Sequence, residues 1–180
     1  MVGMASVAIL VNGLPGSGKT TLSATLAGVL GCPLLAKDPI KEALADLAGP
    51  MIAPEALGSI AMDTVWSMAA EVEAGVVVDS FWHRPRDLEL ARAGVARAGS
   101  PRTLEVWCDV DPEVALQRVV DRLAAGGRHP AHGTVESTRA SWTEWAEAAA
   151  PLGDWPVLRV DTSTPVDVDA LVMKISEQFV

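Results

Sequence analysis

The stretch Gly13-Leu14-Pro15-Gly16-Ser17-Gly18-Lys19-Thr20 constrains this chain more than any other. It follows an unbroken apolar run, SVAILVN at 6–12, and leads into a helical pattern, KTTLSATLAGVLG at 19–31. It satisfies G-x-x-x-x-G-K-[ST] in full, in the strand-then-helix setting that gives the motif its meaning. Each residue type has a physical task. Glycines let the backbone curl until successive N–H groups, here those of residues 13–20, point inward at an anion. The helix that begins near Lys19 adds the positive end of its dipole. Lys19 brings a mobile positive charge to the β- and γ-phosphates. The Thr20 hydroxyl suits Mg2+, and Thr21 reaches toward the α-phosphate. The loop therefore reads as a cradle for ATP and Mg2+, and leaves open where the γ-phosphate goes.

Beyond the loop, short apolar runs alternate with helical patterns. Strands are expected at PLLAK (33–37), VVVDSF (76–81), TLEVWCDV (103–110) and PVLRVDTS (156–163), with helices at 39–48, 54–75, 86–99, 111–127, 137–149 and 165–179. With 6–12 this makes five strands separated by helices. That pattern predicts an α/β domain, a mainly parallel sheet covered on both faces. A chain of 180 residues suits one domain, taken as 1–180. Ligands in such sheets bind beyond the C-terminal ends of the strands. That gathers Gly13–Thr20, Asp38, Asp79 and the segment after Asp109 at one edge.

Composition narrows the partners. The formal charge is −9, from 23 acidic and 14 basic side chains, and the basic residues form no stripe. A field of that sign repels a phosphate backbone, which argues against nucleic acid. No run approaches the ~20 apolar residues of a membrane span. The N-terminal MVGMASVAILVNG lacks a basic stretch before its apolar run, so a strand is expected rather than a signal peptide. Cys32 and Cys108 form no metal-type pair and are expected to be buried and reduced, in keeping with a cytoplasmic protein. Nothing in the sequence fixes an oligomeric state.

With these residues in view, the chain resembles the small P-loop kinases, and within them the group of chloramphenicol phosphotransferase, zeta-toxin-type kinases and small bacterial kinases of AAA type. The likeness runs through NGLPGSGKTT, AKDPIKEAL, GVVVDSFW, CDVDPEVALQR with the following arginines and GRHP, and VLRVDTSTP, in that order. It implies a three-layer P-loop NTPase fold, strand order 2-3-1-4-5, and an arginine-bearing lid at about 117–136. In such phosphotransferases an aspartate at the place of Asp38 faces the acceptor hydroxyl. Here Asp38 is expected to end a strand just before Pro39, where a helix N-cap is the plainer role. Lys41, one turn on, suits an acidic group of a substrate.

Asp79 closes a buried strand, as an acidic residue that serves Mg2+ with Thr20 would. Phe81, Trp82 and Arg84, on the loop that follows, are candidates for the acceptor wall, with Arg86 an alternative to Arg84 for an acidic group. Arg118 and Arg122 share one helix face, and Arg128 follows the breakers Gly126 and Gly127. Arg122 and Arg128 would meet the transferring phosphate on lid closure, and Arg118 the nucleotide. Thr162 to Pro165 would border the base. His83, His129 and His132 are expected to be surface or loop residues.

The expectation is transfer of the γ-phosphate of ATP to a hydroxyl of a small molecule. Two alternatives stand beside it: a nucleoside, nucleotide or polynucleotide-end kinase, and a nucleotide-binding switch without an acceptor.

Overall fold

The structure, a computed structural model, describes residues 7–179. Ser6, with which the first strand was expected to begin, lies outside them, as do residues 1–5 of the N-terminal stretch. The strands are β1 (Val7–Asn12), β2 (Leu34–Ala36), β3 (Gly75–Asp79), β4 (Arg102–Asp109) and β5 (Val157–Asp161). The helices are α1 (Lys19–Leu30), α2 (Lys37–Ala48), α3 (Pro54–Ala70), α4 (Arg84–Arg97), α5 (Pro112–Ala124), α6 (Val135–Glu147) and α7 (Val168–Glu177). All strand pairs are parallel, in the order β2-β3-β1-β4-β5.

Alternation within β1 explains the two cores. Ala8 and Leu10 point to one face, where they join Val65, Trp66 and Ala69 of α3 and Ala91 and Val95 of α4. Ile9 and Val11 point to the other, where they meet Leu22 and Leu26 of α1 and Leu171 and Ile175 of α7. A strand covered on both faces reads as a near-continuous apolar run, which is why β1 carries no polar alternation. Trp66 seats against α4 because Gly94 has no side chain: a Cβ there would stand 2.1 Å from the indole. A third, smaller cluster joins Leu14, Ala115 of α5 and Trp142 of α6, with Phe81 and Trp145 packed on it.

Register sets the position of the site. Asp79 is level with Val11 on one side and with Ala36 on the other. Gly13, Ser80 and the Lys37-Asp38 pair therefore leave the sheet along one edge.

Several boundaries differ from the sequence-based ones. Asp38 does not end β2. It is the second residue of α2, whose N-cap is Ala36, with no side-chain capping bond. Pro39 is accommodated because the first helical N–H groups have no partner within the helix. β3 stops at Asp79, so Phe81 lies in the connection, and Arg84 is the first residue of α4 rather than a loop residue. α3 ends at Ala70 and α5 at Ala124. Cys108 is buried, and its thiol pKa is pushed up to about 12 chiefly by that burial; Cys32 is only half-buried. No helix of the described residues is long and apolar enough to cross a membrane.

Candidate active site

The loop between β1 and α1 is curled by its glycines. Gly16 and Gly18 have φ of +83° and +87°, the left-handed region that side chains resist. Gly16 also has no room for one, since a Cβ would meet the Ala115 carbonyl oxygen at 2.2 Å. The Ser17 N–H donates to the Leu14 carbonyl at 3.0 Å, closing the turn. Lys19 Nζ donates to that same carbonyl at 3.3 Å, so the ammonium folds back over the loop. Burial pulls the Lys19 pKa down, and the carboxylates of Asp79 and Asp38 partly restore it.

Asp79 is 5 % exposed, and its Oδ1 is buried with no hydrogen-bond partner. Burial raises its pKa; Lys19 and the Thr20 hydroxyl offset part of the rise. A buried carboxylate oxygen without a donor is costly unless something positive meets it. Asp79 beside the Thr20 hydroxyl thus has the donor chemistry of a hard cation such as Mg2+. Ser17 Oγ is a second buried polar atom without a partner at the loop.

The loop opens into a cleft of about 960 Å3. Its lining brings together Pro15, Gly16, Gly18, Lys19, Thr20 and Thr21 with Asp38, Lys41, Phe81, Trp82, Arg118, Arg122 and Arg128. Gly13, Leu14 and Ser17 are buried behind it. Arg118 of α5 lies 3.4 Å from the carbonyls of Gly16 and Thr162, tying the loop to the segment after β5. Arg128 is half-buried within charge range of Asp38, which works against the lowering of its pKa by burial. Lys41 has its pKa lowered by burial too, opposed by Asp38 and Glu55.

Arg84, Thr162 and Pro165 also stand outside this lining. Arg84 lies in a shallow groove with Pro85 and Leu88, and Arg86 takes the place in the cleft. As the first residue of α4, Arg84 lies about half a helical turn from Arg86, so the two emerge in different directions. Thr162 contacts the rim through its carbonyl and faces Gly18, and Pro165 is exposed beyond it.

Sequence reasoning missed the support beneath the loop. Asn12, the last residue of β1, is fully buried. Its Oδ1 accepts the N–H of Gly13 at 2.7 Å and that of Trp82 at 3.0 Å, fastening the start of the loop to the connection after β3. Its Nδ2 donates to Glu105 Oε1 at 2.9 Å. Glu105, also fully buried, accepts two more N–H groups, from Leu152 at 2.9 Å and Gly153 at 3.1 Å. A signal was present: one Glu amid the apolar TLEVWC, in a strand that must be covered on both faces, requires buried partners.

Also missed were two contacts of the segment after α5. His132 Nε2 is 2.8 Å from Glu42 and His129 Nε2 is 3.1 Å from Asp46, which are one turn apart on α2. The segment after α5, which helps line the cleft, is thereby tied to α2. Lys37, first in α2 and half-buried, lines the cleft as well, although the sequence pattern had placed it in β2.

No curated protein sequence matches the chain. Among solved structures, a candidate kinase from Chloroflexus aurantiacus is 28% identical, with a TM-score of 0.83 over 97% of this chain and 98% of that one. A gluconokinase from Sinorhizobium meliloti shares the fold at 18% identity and a TM-score of 0.59, over 98% of this chain and 90% of its own. A shikimate kinase from Bacteroides thetaiotaomicron does so at 18% identity and a TM-score of 0.52, over 95% and 97%. The family model described as AAA domain matches residues 9–150. The loop, the strand order and that match together make this chain a member of the AAA domain family, with the fold of the small P-loop kinases.

Proposed function

We propose that the chain is an ATP- and Mg2+-dependent kinase that phosphorylates a hydroxyl of a small molecule. One observation carries this reading. Lys19 lies within charge range of two carboxylates, Asp79 at the end of β3 and Asp38 in the first turn of α2, where it lines the cleft. A nucleotide-binding switch needs the first carboxylate but has no use for the second.

In this reading the amides of residues 13–20 and Lys19 hold the β- and γ-phosphates. Thr20 and Asp79 would hold Mg2+, which when bound neutralises charge on the phosphates. Asp38 accepts a hydrogen bond from the acceptor hydroxyl and aligns its oxygen with the γ-phosphorus. As the new O–P bond forms, the bond from γ-phosphorus to the bridging oxygen breaks. ADP leaves with that electron pair, and the hydroxyl proton passes to Asp38. Arg122 and Arg128, with Arg118 steadying the loop, offset the charge spread over the equatorial oxygens. The segment 117–136 would act as the lid, keeping water from competing with the acceptor.

The test is a screen of hydroxylated small molecules with γ-labelled ATP, read by label transfer. Asp38→Asn should lower transfer by about 10²–10⁴-fold while ATP binding stays within a factor of about two. Label found only in inorganic phosphate across a broad screen favours the switch, and equal transfer by Asp38→Asn removes Asp38 from the reaction.

A further inference from the structure

Seven basic side chains line the cleft, Lys19, Lys37, Lys41, Arg86, Arg118, Arg122 and Arg128, against four acidic ones, Asp38, Glu42, Glu55 and Asp87. The excess is positive in a chain whose formal charge is −9. The phosphates of a nucleotide account for the cations near the loop. They do not account for Lys37 and Arg86.

Lys37 opens α2 next to Asp38, and Arg86 lies in the first turn of α4. Both line the cleft that the phosphate loop opens into, and Lys37 is within charge range of Asp38, Asp87 and Arg86. Arg86 is anchored there by a two-pronged bond to Asp87, Nε to Oδ1 at 2.6 Å and Nη2 to Oδ2 at 2.7 Å. Asp87 is itself buried and takes the His83 N–H at 2.8 Å, which fixes the pair. The remaining Nη1 of Arg86 has no partner among the described residues.

Lys37 crosses toward α3, where its Nζ lies 3.7 Å from where a Cβ on Gly58 would stand. It is half-buried and forms no ion pair among the described residues. Burial lowers its pKa, and Asp87 and Asp38 oppose that. An ammonium that is partly desolvated and unpaired gains most from an anion delivered to it. Met62, Trp66 and Trp82 supply an apolar floor beside it.

We propose that Lys37 and Arg86 form a binding site for an anionic group of the acceptor, a carboxylate or a phosphate monoester, beside Asp38 in the same cleft. The acceptor is then a hydroxylated acid or a phosphorylated alcohol rather than a neutral sugar. The word acceptor rests on the kinase reading; the anion site does not.

The experiment uses the full chain, γ-labelled ATP and two matched panels: polyhydroxy carboxylates each beside its primary amide, and sugar phosphates each beside the free sugar. The expected result is transfer to charged members of one panel, which also separates carboxylate from phosphate. Lys37→Met should raise the KM for that acceptor about tenfold or more and leave the KM for ATP within about twofold, with Lys37→Arg partly restoring it. Equal use of charged and uncharged members, or an unchanged acceptor KM in Lys37→Met, overturns the site. If no member is phosphorylated, the same acids are titrated against tryptophan fluorescence, since Trp66 and Trp82 floor the site. A response that Lys37→Met abolishes upholds the anion site while withdrawing these acids as acceptors. No response from any charged member overturns it. Failure of ATP to bind at all sinks the kinase reading and leaves the fluorescence result to decide the anion site alone.

Discussion

Glu105 and Asn12, 93 residues apart in sequence, share a hydrogen bond of 2.9 Å with neither side chain exposed. Through it one carboxylate in β4 sets the direction of the Asn12 amide, and the amide sets the first N–H of the phosphate loop and the backbone of Trp82. Glu105→Ala would strand three donors at once, the Asn12 amide and the N–H groups of Leu152 and Gly153. We expect a loss of about 3–5 kcal/mol in urea unfolding. Glu105→Gln, which keeps the shape and sets a donor against a donor, should lose about 1–3 kcal/mol. A loss below about 1 kcal/mol in the alanine variant would show that the network carries little of the fold.

Two glycines of the loop separate steric need from conformational need. At Gly16 an added Cβ meets both a left-handed φ and the Ala115 carbonyl at 2.2 Å. At Gly18 only the φ of +87° opposes it, the nearest atom being Thr162 Cβ at 3.8 Å. Gly16→Ala should cost about 2–4 kcal/mol and Gly18→Ala about 1–2 kcal/mol by chemical denaturation. Equal costs would place the constraint in the backbone alone.

Asp79 is held in a place that suits a metal better than an empty fold. Its pKa is raised in the folded chain, chiefly by burial. The folded state then binds more protons than the unfolded one in the window above the ordinary carboxylate pKa, so stability falls as pH rises through that window. Asp79→Asn should raise the ligand-free melting temperature at neutral pH and flatten this dependence. It should also remove the part of ATP protection that depends on Mg2+. A lower melting temperature with unchanged Mg2+ dependence would assign Asp79 to packing.

In the proposed kinase, closure of the segment 117–136 as a lid is made sensitive to acid by His132. Its imidazole is 6 % exposed and faces Asp38, Glu42, Arg128 and Lys41. Burial, with the two cations, lowers its pKa from the ordinary 6.5, although the two carboxylates oppose this. The open state therefore takes up the proton first, and closure weakens as pH falls through about 6.5 toward the lower folded value. Amide protection factors at residues 125–134, corrected for the intrinsic slowing of exchange in acid, should fall over that range, and His132→Asn should remove the change. Protection that rises toward acid would mean that the Glu42 pair strengthens on protonation instead.

The loop and the sheet were legible in the sequence because their signals are local. Glycine spacing, a six-residue apolar run and a helix start lie within 25 residues of each other. The supports were not, because they join residues distant in the chain. Asn12 and Glu105 each show only as one polar residue in an apolar strand, and their pairing depends on β1 and β4 being neighbours in register. Lys37 was concealed by a boundary: with PLLAK taken as strand, nothing marked the lysine as the first residue of a helix facing the cleft. Arg84 and Arg86 are alike in sequence, and only the bond from Arg86 to Asp87 tells which one the cleft receives. His129 and His132 do sit in a loop, as their glycine and proline neighbours suggest, but their partners Asp46 and Glu42 are 83 and 90 residues away.

The account turns on the amides of residues 13–20 and Lys19 acting together as a receptor for nucleotide phosphates. Thermal unfolding of the wild type and of Lys19→Met, each with and without ATP and Mg2+, tests this most directly. At about 100 times Kd the nucleotide should stabilise the wild type by about 2.7 kcal/mol, visible as a rise of several degrees, and leave Lys19→Met almost unmoved. No rise in the wild type, or an equal rise in Lys19→Met, would contradict it.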